Sequence, residues 1–219
     1  KGWLFISHDD TYLHQMMHIE EAISKGAVVF CEFALDLENA YTFSNINQIQ
    51  NDILHFYYGE LCRGISVIGI CGTNGKSTTA SFLTQILRKE SFRVLRIGTH
   101  LIDMDGDIKE TRNTTPNRYV LAEVIDEAKK RGMDYVVMEV SSHAIDKNRI
   151  ALVTFDLIIY TNIFSDHLDY HLTQIHYRYT KLKLRRYLKT DGNILVNTQG
   201  LDVEELLSIC DEQCILVGN

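Results

Sequence analysis

An α/β fold, doubly wound around a mostly parallel sheet and preceded by a smaller α/β domain, is predicted by three observations. Short apolar runs rich in β-branched residues alternate with amphipathic stretches of helical length, the pattern of strands joined by crossover helices. Three runs, Ile65–Cys71, Tyr135–Val140 and Phe155–Tyr160, are predominantly apolar, as buried parallel strands are. Each of the three ends in a polar cluster, and ligands of such sheets gather beyond the carboxyl ends of the strands.

Taken in order, residues 1–64 read as a strand (Leu4–Ile6), a helix (about Tyr12–Lys25), a strand (Ala27–Cys31), a polar connection and a helix (about Ile46–Leu61), with Gly64 marking the boundary to a second domain over 65–219. The strand Ile65–Cys71 then meets a glycine-rich turn and a helix (Thr78–Glu90). A strand (Arg93–Ile97) is followed by a hairpin at Asp105-Gly106, a pair that favours tight turns. The only proline, Pro116, precedes a helix from Arg118 to Arg131 that Gly132 closes. After Tyr135–Val140 comes Ser141-Ser-His143, and after Phe155–Tyr160 come Thr161-Asn162 and the segment from Ser165 to Asp169. A helix (Thr173–Leu188), a strand (Asn193–Val196), a helix (Val203–Ile209) and a strand (Cys214–Val217) complete the chain.

The turn between strand and helix reads GTNGKST over residues 72–78. Glycines let backbone N–H groups close around an anion, the helix N-terminus adds partial positive charge, Lys76 can reach terminal phosphates and Ser77 can offer its hydroxyl to Mg²⁺. The strict pattern G-x-x-x-x-G-K-[ST] asks for glycine where this chain has Ile70, with Gly69 one residue early, so the loop is a variant. A flexible turn with a solvated lysine is the plain alternative; the strand–loop–helix order favours phosphate.

An apolar fraction of 45% supports a real core, and a net charge of −7 without a long basic run argues against a nucleic-acid surface. The cluster Lys181–Arg186 reads as one helix face. Cysteines at 31, 62, 71, 210 and 214 form no C-x-x-C pair and suit reduced, buried thiols of a cytosolic protein. No run approaches membrane-spanning length, no signal peptide is visible, and the start at Lys1 suggests a piece of a longer protein.

Several residues invite chemistry and each has an ordinary reading. Glu139 sits in an apolar strand, where a carboxylate needs a cation; Mg²⁺ or a salt bridge would serve equally. His143 and His167 each follow a strand end and could bind metal, position substrate or simply be hydrogen-bonded structure. Asn113-Thr-Thr-Pro116 could be only a capped helix start. Lys181, with Lys183, Arg185 and Arg186, could form a solvated face.

Together the segments GTNGKST (72–78), NTTP (113–116), MEVSSHA (138–144) with Arg149, TNIFSDHLDYH (161–171) and HYRYTKLKL (176–184) resemble the Mur ligase family, most closely its MurE-type UDP-MurNAc-tripeptide synthetases. NTTP together with EVSSHA favours that type. The resemblance runs from about Gly2 to Thr198. It implies that Gly72, Thr73, Asn74, Gly75, Lys76, Ser77 and Thr78 bind ATP, with Lys76 on the terminal phosphates. It implies a catalytic group of Lys76, Glu139, His167 and Lys181. Metal ligation would fall to Ser77, Glu139, His167 and Lys181, the last as a carbamate. Thr114, Thr115, Ser141 and Arg149 match positions contacting UDP-MurNAc-dipeptide. The implied reaction is ATP- and Mg²⁺-dependent amide formation through an acyl phosphate, by a bacterial, cytoplasmic monomer of cell-wall synthesis with no nucleic-acid or membrane partner.

Departures from the family pattern accompany it. Residues 1–64 would be part of a UDP-MurNAc-binding domain, yet the glycine-rich stretch expected after Ile6 reads Ser7-His-Asp-Asp10, and Lys147 and Asn148 precede Arg149. The family continues beyond a position equivalent to Asn219 into the rest of the central domain and a C-terminal domain, so residues 1–219 alone are expected not to complete the ligation. A ligase of the cyanophycin or folylpolyglutamate type and a non-catalytic nucleotide-binding module are the competing readings.

Overall fold

The structure, a computed structural model, describes residues 2–7, 12–202, 205 and 214–218, and the chain divides into two compact units, Lys1–Gly59 and Glu60–Asn219. The expected helix Val203–Ile209, Cys210 and most of Ser7–Asp10 lie outside the described residues, Glu205 and Ser7 apart.

The first unit is a three-stranded parallel sheet, β1 (Trp3–Ile6), β2 (Ala27–Cys31) and β3 (Ala40–Thr42), with helices α1 (Tyr12–Ser24) and α2 (Ile46–Tyr58). Ile19, Val29 and Cys31 are its buried centre, packed by Phe5, Ala22 and Ile23. β3 falls in what reads as a polar connection. Three residues are too few to show alternation, and the strand forms by pairing Ala40 with Val29. α2 is capped by Asn45, whose side chain accepts from the Gln48 N–H, and ends at Tyr58 rather than Leu61 because Gly59 turns to φ +60°.

The second unit holds an eight-stranded sheet ordered β11-β10-β9-β4-β8-β5-β6-β7. Its strands are β4 (Ser66–Cys71), β5 (Val94–Gly98), β6 (Leu101–Met104), β7 (Asp107–Glu110), β8 (Tyr135–Val140), β9 (Phe155–Tyr160), β10 (Leu188–Asn197) and β11 (Cys214–Val217). Only the pairings of β6 are antiparallel: β5 and β6 turn at Thr99-His100, and β6 and β7 make the hairpin at Asp105-Gly106. The helices are α3 (Lys76–Lys89), α4 (Arg118–Lys130), α5 (Ser142–Asp146), α6 (Leu168–His171) and α7 (Gln174–Leu182). Ile68, Ile70, Ala80, Val94, Val137 and Ile159 form the core between α3 and the sheet. This is the predicted doubly wound, mostly parallel architecture.

In this unit α5 and α6 are short helices absent from the sequence reading, and α3 and α7 differ from it in their bounds for visible reasons. α3 starts at Lys76, two residues early, because Gly75 at φ +84° takes the cap position. α7 ends at Leu182 and passes through a 3₁₀ turn, Lys183–Tyr187, instead of reaching Leu188. There the buried Tyr160 hydroxyl donates to the carbonyls of Lys181 (3.3 Å) and Leu182 (3.5 Å), satisfying groups that a longer helix would have used. Cys31, Cys62 and Cys71 are buried free thiols, and Cys214 is a partly buried one. Among the described residues no helix is long and apolar enough to cross a membrane.

The architecture aligns three strand ends. β4 lies between β8 and β9, and Cys71 is in register with both Val140 and Tyr160. The next residues, Gly72, Ser141 and Thr161, therefore leave the sheet side by side.

Candidate active site

At the end of β4 the loop Gly72–Ser77 is held from the neighbouring strand end. Thr73 N–H donates to the Asn162 carbonyl (2.9 Å) and Asn74 N–H to the Asn162 side chain (2.9 Å). Thr161 Oγ1 and Asn162 Nδ2 both donate to the Asn74 carbonyl, at 2.7 and 3.1 Å. The approach is so close that a Cβ on Gly72 would lie 1.8 Å from Thr161 Oγ1. α3 then begins with no capping side chain and no acidic residue in its first turn, so its N-terminal N–H groups are free to take an anion.

Lys76 curls back over this loop, Nζ donating to the carbonyls of Gly72 (2.8 Å) and Thr73 (2.9 Å). Lys181, 1% exposed, donates from Nζ to the same Gly72 carbonyl at 2.7 Å. It is therefore not on the solvated face that its neighbours suggest. Burial pushes both lysines below the usual range, and the Lys181 ammonium adds to the effect on Lys76. Lys181 also lies over the Tyr177 ring, 4.7 Å from its centroid, while the Tyr177 hydroxyl meets Thr73 Oγ1 at 3.1 Å. Burial raises that phenol to about 12, so it stays protonated. Two ammonium groups on one carbonyl, at an open helix N-terminus, form a site whose electrostatics an anion completes.

Glu139, fully buried, joins this cluster to a second one. Its Oε2 accepts from Ser77 Oγ (2.7 Å) and Thr99 Oγ1 (3.3 Å), and its Oε1 from Thr99 N–H (3.2 Å). Its own backbone carbonyl accepts from Thr115 Oγ1 at 2.9 Å. No described lysine or arginine forms an ion pair with it, which removes the salt-bridge alternative. A buried carboxylate beside a serine hydroxyl, with no salt-bridge partner among the described residues and Lys76 acting on it only through space, is a hard oxygen donor pair of the kind that would suit Mg²⁺.

The second cluster contains the four residues expected to contact the peptide substrate, Thr114, Thr115, Ser141 and Arg149. Ser141 N–H donates to Thr115 Oγ1 (3.1 Å), and Ser141 Oγ caps α5 by accepting from Ala144 N–H (3.2 Å). Arg149 donates to the Thr115 carbonyl (3.0 Å), and Thr114 Oγ1 lies 3.2 Å from Thr99 Oγ1. Thr99, which follows β5 directly, was not anticipated; its place at a strand end was the available signal. The same signal marks Thr161 and Asn162. Tyr177, a helical tyrosine, offered none.

His167 joins the site through ring contacts. Its imidazole, half exposed, meets His143 edge to face at 5.0 Å and the Tyr177 ring at 6.1 Å. Burial, then the neighbouring His167, lowers the basicity of His143.

Gly98 tests the packing of Glu139, since a Cβ there would lie 2.1 Å from Oε1. Gly98→Ala is expected to displace the carboxylate and cost about 1–3 kcal/mol, a fall in Tm of about 3–10 °C by scanning calorimetry. An unchanged Tm would contradict this packing.

A family model described as the Mur ligase middle domain matches residues 70–215. The chain is 35% identical over 188 residues to a UDP-N-acetylmuramoyl-L-alanyl-D-glutamate–2,6-diaminopimelate ligase of Parabacteroides distasonis, covering 84% of this chain and 39% of the relative. To the ligase of the same name in Wolinella succinogenes it is 48% identical over 118 residues, 53% of this chain and 27% of the relative. It thus spans about two fifths or less of these relatives' length. A solved structure of a 2,6-diaminopimelate ligase superposes with a TM-score of 0.76 at 23% identity, covering 95% of this chain and 42% of that one. A MurF ligase from Thermotoga maritima in complex with ADP superposes at 0.63 and 16% identity, covering 99% of this chain and 47% of that one. The two structures share the fold, the family model matches the strands and loops that build the site, and on that evidence the chain belongs to the Mur ligase family.

Proposed function

We propose that this chain supplies the nucleotide-phosphate and UDP-sugar-peptide sites of a cytoplasmic, ATP-dependent amide ligase that adds the third amino acid to UDP-MurNAc-L-Ala-D-Glu in peptidoglycan synthesis. The relatives are named for 2,6-diaminopimelate, and that is the amine we propose. The observation carrying this reading is the double attachment of Glu139, by side chain to Ser77 of the loop and by backbone to Thr115 of the second cluster. One residue ties an anion site to a set of hydroxyl and guanidinium donors suited to a polar, charged substrate.

In this reading the substrate carboxylate attacks the γ-phosphorus, the bond to ADP breaks, and an acyl phosphate forms. The deprotonated amine then attacks the acyl carbon and phosphate leaves. Both first-step reactants are anionic, so the residues' task is charge neutralisation and alignment. Lys76 exchanges its two loop carbonyls for terminal phosphate oxygens, and the N-terminus of α3 holds the phosphates. Thr114, Thr115, Ser141 and Arg149 orient the peptide substrate. Ser77, Glu139, His167 and carbamylated Lys181 would hold Mg²⁺, which supplies neutralisation of developing phosphate charge. Carbamylation needs a neutral amine, and the burial of Lys181 favours one. In the Mur family further domains follow this region, so we propose that the ligation is completed by the longer protein.

Calorimetric titration of the chain with UDP-MurNAc-L-Ala-D-Glu, with UDP-GlcNAc as control, tests the substrate assignment. Selective binding of the first is expected. Equal affinity for both in a folded sample would overturn it.

A further inference from the structure

We propose that Asp146 and Tyr170 form a clamp that positions His167, an assignment resting on the reading of His167 as part of the site. α6 is a single turn of four residues, too short to be stable alone, and non-glycine residues in the left-handed region flank it: His167 at φ +50° and Leu172 at φ +63°. Left-handed conformations cost a non-glycine residue free energy, so tertiary contacts must hold this segment.

Those contacts converge on α5. Asp146, at its last position, accepts from the Tyr170 hydroxyl at 2.9 Å through Oδ2, and its Oδ1 lies 3.8 Å from His176 Nε2 on α7. The Tyr170 ring then lies 4.2 Å from His143, which occupies the first turn of α5. His143 in turn meets His167. One turn of helix, fixed by Ser141 to the end of β8, thus presents a carboxylate that tethers the segment three residues after His167 and a ring that supports His167 itself. Tyr170 reaches His167 through His143, and Asp146 also lies against His176 on α7, the helix that carries Tyr177 and Lys181, so the pair supports both His167 and the helix behind it.

The test uses Tyr170→Phe, which keeps the ring on His143, Asp146→Ala, and Asp146→Asn, which retains an acceptor for the tyrosine hydroxyl. Two quantities are read: amide hydrogen exchange over residues 166–172, and the Mg²⁺ concentration that half-maximally supports ATP binding to the chain. Tyr170→Phe and Asp146→Ala are each expected to raise both by about tenfold, matching loss of one hydrogen bond to a charged acceptor. The double variant should do no more, and Asp146→Asn should recover most of the effect. Unchanged exchange overturns the clamp, and faster exchange with an unchanged Mg²⁺ requirement overturns its positioning role. Were Lys76→Ala to leave ATP binding intact, the functional reading would fail, and the exchange measurement would still decide the clamp.

Discussion

Lys76→Ala is expected to reduce ATP binding by the chain, and turnover by the ligase proposed above, by about 10²- to 10³-fold, the scale of losing one charge-stabilising group at a phosphoryl-transfer site. Its Nζ now donates to the carbonyls of Gly72 and Thr73, neutral acceptors that a phosphate oxygen would readily replace. The fold should survive. The ammonium forms no ion pair with a described carboxylate, and α3 keeps its remaining contacts with the core through Ala80 and Leu83. Circular dichroism and calorimetry on the same sample establish that point. Undiminished turnover in the variant would remove the loop from the phosphate site.

Lys181→Ala is expected to lower turnover by about 10²-fold or more, with partial recovery on adding formate or acetate. The side chain is among the largest fully buried ones, and its contacts are a carbonyl and a ring face rather than a carboxylate. A buried cation so placed is costly. In the carbamate form proposed above, addition of CO₂ to the neutral amine, with release of a proton, would convert it to an anion that could help Glu139 hold a metal ion. A small carboxylate entering the cavity of the alanine variant restores that negative charge. Recovery by methylamine and not by formate would show that the ammonium is the working form and would overturn the carbamate assignment. No loss of activity would take Lys181 out of the site.

The strand–helix alternation, the loop around Lys76 and the helix caps are short-range properties, set by neighbours within one turn or one strand, and they are visible in the residues themselves. Glu139 could be singled out as a charge in an apolar strand, and His143 and His167 as strand-end imidazoles. The sequence left two questions open that packing answers. Glu139 has hydroxyl and amide partners and no described cation, and Lys181 is buried although its neighbours are basic and its helix face looks solvated. β3 and the 3₁₀ end of α7 belong to the same class, since a cross-strand pairing and the Tyr160 hydroxyl create them.

By itself the sequence determined most of the elements, their order and most of the chemically competent side chains, but not β3, α5 or α6. Only the tertiary structure decided which of them meet. Lys181 and Gly72 are 109 positions apart, and Asn162 and Asn74 are 88 apart, yet each pair is in hydrogen-bond contact because Cys71 sits level with Val140 and Tyr160 in the sheet. Register is a cooperative outcome of strand order and of burying both faces of β4, so no local window of residues encodes it.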